Sequence, residues 1–275
     1  MGYYGIKRSR RMEVKTMEMK YQTWGDPKNP PVLLLHALAC HSGWWKWVTP
    51  YLEKEYYLIA PDFRGHGQSP WADSYRFDDY ARDIEELVEK FDGPYAIVGH
   101  SMGAYVGLKV ASRGVRPPSA LLVADMKMDS PEEELAGLHK AAQKSGRIYD
   151  TLQDAVANYR FLPPQHAAPK ERVEQVAQDC YHEQEDGRWG ERFDRRALAI
   201  EKVEAVALAE QVNCPTWFVR AKESQVMPAE GAKELARITG GPLHEMEGVF
   251  HHLPLEAPEA FASLIREFMI QTNNK

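Results

Sequence analysis

The sequence predicts an α/β architecture, a mostly parallel, doubly wound sheet covered by helices on both faces. Three observations carry the prediction. Short apolar runs recur at residues 32–35, 58–60, 96–98 and 121–124, and at 216–219 behind a leading Thr216, and a strand apolar at consecutive positions is one buried on both faces, as parallel strands are. Polar or glycine-rich turns and sequence of helical period follow these runs, which is the rhythm of βαβ units. One run, Tyr95-Ala96-Ile97-Val98, leads directly into Gly99-His100-Ser101-Met102-Gly103, a serine framed by small residues at a strand-to-helix turn.

Taken in order, residues 13–15 and 17–24 read as a leading antiparallel hairpin. Residues 77–91 place Tyr80, Ile84, Leu87, Val88 and Phe91 on one helical stripe and their acidic residues elsewhere, the pattern of an amphipathic crossover helix. Behind the serine, Ala104, Val106, Gly107, Leu108, Val110 and Ala111 supply a small-residue helix that can pack closely on the sheet. Between 126 and 193 the strand rhythm stops and charged helical sequence takes over, with Ser130 and Pro131 forming an N-cap and first turn. This stretch is expected to be a helical cap inserted between two parts of a core, 1–125 and 194–275. Residues 243–246 form a last strand, and a final helix starts at Pro258.

With 275 residues, 44% of them hydrophobic, the chain can bury a large core. Its net charge of -6 lacks the basic excess of a nucleic-acid binder. Cys40, Cys180 and Cys214 are odd in number and widely spaced, without a CxxC pattern, which fits a reducing compartment. No apolar run is long enough for a signal-peptide core or a membrane span, so a cytoplasmic protein is expected, monomeric or homodimeric, with no nucleic-acid or membrane partner.

The pentapeptide carries the chemistry. A serine on so tight a turn sits at a strained backbone angle, and side chains two positions to either side would collide with strand and helix. Serine is a weak nucleophile at neutral pH, so Ser101 needs a base and the base needs an orienting group. The candidate base lies in Gly248-Val249-Phe250-His251-His252-Leu253-Pro254, a loop between the last strand and the final helix, at the sheet edge where α/β proteins place their sites.

In these features the chain resembles α/β-hydrolase-fold serine hydrolases over nearly its whole length. The resemblance rests on Leu34-Leu35-His36-Ala37-Leu38, Asp62-Phe63-Arg64-Gly65-His66-Gly67-Gln68-Ser69, the Gly99–Gly103 elbow, and His251 followed by Glu256, Pro258 and Phe261. It implies an eight-stranded sheet with a cap and selects His251 as the base, seven positions before Pro258, with His252 as alternative or as a pocket-lining or capping residue. It also implies an oxyanion hole from the backbone N–H groups of Leu38 and Met102, although Ala37 stands where relatives carry glycine. Asp62, Arg64, Gly65, His66 and Gly67 would brace the core, His36 would hold its own loop, and His100 would point away from Ser101.

The acid is displaced from its usual place in this family. Four residues before Pro228, where an aspartate is expected, stands Ser224. Asp125, which ends the run Leu121-Leu122-Val123-Ala124, is the preferred acid, in a spacing that resembles (acetamidomethylene)succinate hydrolases and zearalenone lactonases. Glu223 is the alternative, and Asp129 a distant third.

The resulting expectation is a carboxylic ester hydrolase acting on small to medium acyl or lactone substrates through a Ser-His-Asp triad and an acyl-enzyme, without cofactor or metal. Other readings are the same triad acting on an amide or carbon–carbon bond, or a ligand-binding receptor on a hydrolase scaffold. His41, Trp44 and Trp45, just after the oxyanion loop, are expected to bound the substrate pocket, with helix packing as the competing role for a tryptophan. Arg220 and Lys222 are either a surface pair or a site for an anionic substrate group.

Overall fold

The computed structural model describes residues 18–273. Its main sheet contains β1 (Tyr21–Trp24), β2 (Pro31–Leu35), β3 (Tyr57–Pro61), β4 (Ala96–His100) and β5 (Ala120–Ala124). Three short strands then lie outside it, β6 (Ile148–Tyr149), β7 (Tyr181–Glu183) and β8 (Trp189–Glu191), before β9 (Thr216–Ala221) and β10 (Leu243–Met246) complete it. The order β1-β3-β2-β4-β5-β9-β10 is parallel throughout except for β1, which runs antiparallel to β3 at the edge. Seven strands are therefore seen among the described residues where eight were expected. The strand expected at 13–15 lies outside the described residues, as does Met17.

The alternation of side chains along each strand divides the core into two layers. Leu33, Leu35, Ile97, Leu121, Val123 and Phe218 face one side, where they meet α1 (Phe77–Val88), α2 (Met102–Arg113), α6 (Ala205–Ala209) and α7 (Ala229–Thr239). Val32, Leu34, Val98, Leu122, Trp217 and Val219 face the other, covered by a 3-10 turn at Ser42–Trp45, by α8 (Leu253–Glu256) and by α9 (Pro258–Asn273). The stripe predicted for α1 is the buried one: Tyr80, Ile84, Leu87 and Val88 are all buried, each contributing roughly 1.5–3 kcal/mol if its side chain is fully removed from water. No helix among the described residues is long and apolar enough to cross a membrane.

The chain leaves the main sheet at Ala124 and rejoins it at Thr216. In between lie α3 (Glu132–Ala142), α4 (Leu152–Ala157) and α5 (Lys170–Asp179). The expectation of a purely helical insert needs correction, because β6, β8 and β7 pair into an antiparallel three-stranded sheet within it. The start of α3 also differs in detail. Pro131 takes the N-cap position without a side-chain hydrogen bond, while buried Ser130 accepts a hydrogen bond from Val203 N at 3.4 Å.

Candidate active site

The turn from β4 into α2 holds Ser101 at φ 55°, ψ -120°, a region that non-glycine residues rarely adopt. Its two glycines are required sterically. A Cβ on Gly103 would lie 2.2 Å from the Leu35 carbonyl oxygen, and one on Gly99 would lie 2.5 Å from the Ala104 Cα. Ser101 N donates to Ala124 O at 2.9 Å, which ties the turn to the end of β5. Among the described residues, the other non-glycine positions with positive φ are Ala39 (58°) and Asp125 (41°). Strain is thus concentrated at the ends of β2, β4 and β5, around one point.

At that point the structure brings together Ser101, His251 and Asp125. His251 Nε2 is 3.0 Å from Ser101 Oγ, and its Nδ1 is 2.7 Å from Asp125 Oδ2. His251 and Asp125 are buried and Ser101 is half-buried, and Ser101 and His251 both line a cavity. Asp125 accepts further hydrogen bonds from Ala221 N (3.1 Å, to Oδ1) and Ser224 Oγ (2.5 Å, to Oδ2). Glu223 is exposed and lines the cavity in front of Ser101, but the histidine bonds Asp125 instead. Asp129 is exposed as well.

The loop that carries His251 is clamped from several sides. The Glu256 carboxylate accepts from Phe250 N at 2.8 Å and His252 N at 3.0 Å. His100 Nε2 donates to the His251 carbonyl at 2.7 Å, while its Nδ1 accepts from Trp44 Nε1 at 3.1 Å. His100 therefore turns away from Ser101, as expected, and also links the 3-10 turn to the His251 loop. Complete burial pushes its pKa well below the usual histidine value, with nearby His251 adding to the effect, and the neutral ring then has the donor and acceptor this chain of bonds needs. His252 donates from Nε2 to Pro163 O at 2.8 Å, with its pKa pushed down to about 3 by burial. It bridges the His251 loop to the insert, whereas the histidine hydrogen-bonded to Ser101 is His251.

Leu38 and Met102 both line the cavity at Ser101. Met102 opens α2, so its N–H has no acceptor within the helix, and Leu38 N donates to no acceptor among the described residues. The bracing motif below them is tied together by hydrogen bonds and an ion pair, although the buried His66 Nε2 has no partner among the described residues. Asp62 accepts from Ser42 N at 2.6 Å and Gln68 N at 2.8 Å, and Arg64 forms a two-pronged pair with Asp83 at 2.6 and 2.5 Å. His36 Nε2 accepts from Phe63 N at 3.1 Å, which fixes the loop after β2 against the Asp62 turn.

The cavity has a volume of about 280 Å³. Its apolar wall is formed by Phe77, Met102, Tyr105, Leu138, Ile200 and Val203, and a Lys127–Glu134 ion pair also lines it. The expected pocket residues His41, Trp44 and Trp45 are not part of it. All three are buried: His41 caps the 3-10 turn by accepting from Gly43 N, Trp44 packs on His100, Phe161 and His252, and Trp45 stacks on Phe261. Both tryptophans are buried because the whole four-residue turn is covered, Trp44 from the loop of His252 and Trp45 from α9. The walls missed from sequence, Ile200 and Val203, lie in irregular chain that shows no periodicity. Arg220 and Lys222 form surface pairs with Glu245 and Glu247 at 2.9 and 2.6 Å. Among the described residues, no cluster of His, Cys, Asp or Glu is placed to hold a metal ion.

Comparison with known proteins agrees with this architecture. The family model described as "Alpha/beta hydrolase family" matches residues 32–264. Monoacylglycerol lipase abhd6-B of Xenopus laevis is 28% identical over 92% of this chain and 82% of its own length. The serine hydrolase-like protein of Danio rerio is 38% identical over 100 residues, a match that spans only 31% of that relative. Among solved structures, E-2-(acetamidomethylene)succinate hydrolase superposes with a TM-score of 0.81 at 22% identity, covering 95% of this chain and 98% of that one. The chain belongs to the alpha/beta hydrolase family.

Proposed function

We propose that the protein is a carboxylic ester hydrolase that works through an acyl-enzyme on Ser101. The single observation that supports this most is the continuous line Ser101 Oγ, His251, Asp125, with contacts of 3.0 and 2.7 Å, ending at a half-buried hydroxyl in a cavity. His251 takes the Ser101 proton as the hydroxyl oxygen attacks the substrate carbonyl. The oxyanion is received by the N–H groups of Leu38 and Met102. Asp125 holds the Nδ1–H tautomer and stabilises the imidazolium, which then protonates the leaving alcohol. Water activated by the same histidine releases the acid and restores the serine. The reading needs no cofactor.

A cavity of about 280 Å³ with one mainly apolar wall fits small to medium esters or lactones. Relatives named monoacylglycerol lipase and lipase lend support to ester cleavage. A second reading keeps the triad but cleaves another bond next to a carbonyl. It draws on a relative from Metapseudomonas resinovorans, 28% identical over 92% of this chain, named as a hydrolase of 2-hydroxy-6-oxo-6-(2'-aminophenyl)hexa-2,4-dienoic acid, a compound whose name contains no ester. Steady-state hydrolysis of p-nitrophenyl butyrate, abolished in Ser101→Ala, tests the first reading. No turnover of this ester or of a lactone series would remove it, and would also leave room for a binding protein on this scaffold.

A further inference from the structure

Beside the catalytic cavity lies a second one of about 370 Å³. The two meet along Leu38, Leu138 and Leu162, which line both. Leu38 is also the residue whose N–H faces the reacting carbonyl in the mechanism above, so the scissile bond sits where the cavities adjoin. Their chemistry differs. The second carries Arg147, Arg160 and Arg195 against one carboxylate in its lining, Glu191.

The charge of these arginines is poorly matched within the protein. Arg195 Nη1 reaches the two Glu191 oxygens only at 3.3 and 3.4 Å, and its Nε is buried with no hydrogen-bond partner among the described residues. Among the described residues, Arg160 bonds only the neutral carbonyls of Ala157 and Tyr159, at 2.9 and 2.5 Å. Arg147 is exposed and interacts with the Tyr149 hydroxyl. A guanidinium presents a planar fork of donors that suits a carboxylate, and an unpaired buried donor is a place where a ligand can gain what the fold leaves unmade.

Resting on the ester-hydrolase reading, we propose that the substrate spans both cavities and is an ester bearing a free carboxylate: its apolar part occupies the Ser101 cavity, and its carboxylate is held in the second cavity by Arg195, with Arg147 and Arg160 beside it. The half-ester of a dicarboxylic acid is the simplest compound of this class. The apolar side of the first cavity then selects the alkyl portion, and the second cavity selects charge.

The test is equilibrium binding to the Ser101→Ala protein, by calorimetry, of monohexyl succinate and of its neutral counterpart hexyl methyl succinate. The half-ester should bind at least tenfold more tightly, and the preference should fall toward unity when Arg195→Gln or Arg147→Gln is added. Arg147 is exposed, so its variant serves where the Arg195 change impairs folding. Equal affinities for the two compounds, or a preference that survives both arginine changes, would overturn the proposal. Binding is read without turnover, so a wild-type protein that prefers the half-ester yet hydrolyses no ester would overturn the reaction reading and support the carboxylate site.

Discussion

Ser224 Oγ donates to Asp125 Oδ2 at 2.5 Å, the same oxygen that lies 2.7 Å from His251 Nδ1. Ser224 thus stands where the family resemblance places the acid, and it bonds the carboxylate on the neighbouring strand that lies against His251. Its hydroxyl is held in turn by Val226 N at 3.1 Å. A hydrogen bond to a charged group is worth about 1.5–3 kcal/mol. Ser224→Ala should therefore lower kcat/KM by about tenfold or somewhat more, mostly through kcat, with Ser224→Thr restoring part of it. Unchanged kinetics in Ser224→Ala would show that this contact does not orient the acid.

Asp125 and Glu223 are separated by a simple comparison. Loss of the carboxylate that orients the base costs roughly ten-thousand-fold in a comparable triad. Asp125→Asn should show a kcat loss of that order, whereas Glu223→Gln, which changes an exposed side chain at the cavity wall, should stay within a few-fold of wild type. The opposite ranking in p-nitrophenyl ester kinetics would move the acid to Glu223.

How much of this could be read from the chain depends on the length of the signal. The runs that became β2 to β5 and β9, and the glycines around Ser101, are strong patterns because burial on both faces and backbone clashes leave few alternatives. His251 and Asp125 are candidates because one lies in the loop after β10 and the other directly after β5, and the family resemblance chose them over His252 and Glu223. The insert resisted reading: Ile148–Tyr149, Tyr181–Glu183 and Trp189–Glu191 are too short to show an alternation. The role of Ser224 becomes visible only when β5 and β9 lie side by side, with Ala124 opposite Val219. Nor does any local pattern tell that Arg147 and Arg195, 48 positions apart, share a cavity wall.

Four buried histidines set an acid limit on stability. Burial holds His36, His66 and His252 at about 3 and His100 well below its ordinary value, whereas the unfolded chain takes up these protons near 6.5. The folded-state values are depressed, so the unfolded state binds the protons first. This contribution is complete above pH 6.5 and is lost as the pH falls toward 3, by on the order of 1.4 kcal/mol per pH unit for each histidine. The melting temperature should drop clearly between pH 7 and pH 5 in calorimetric scans. A flat profile across that range would show that these rings are protonated without cost in the fold.

The central claim is that the Ser101 hydroxyl is a nucleophile activated by His251. The most direct measurement is reaction with a fluorophosphonate probe followed by intact-protein and peptide mass spectrometry. The account predicts one adduct per chain on the peptide that contains Ser101, formed quickly in the wild type, abolished in Ser101→Ala and slowed by several orders of magnitude in His251→Ala. Labelling elsewhere, or a labelling rate indifferent to the loss of His251, would contradict it.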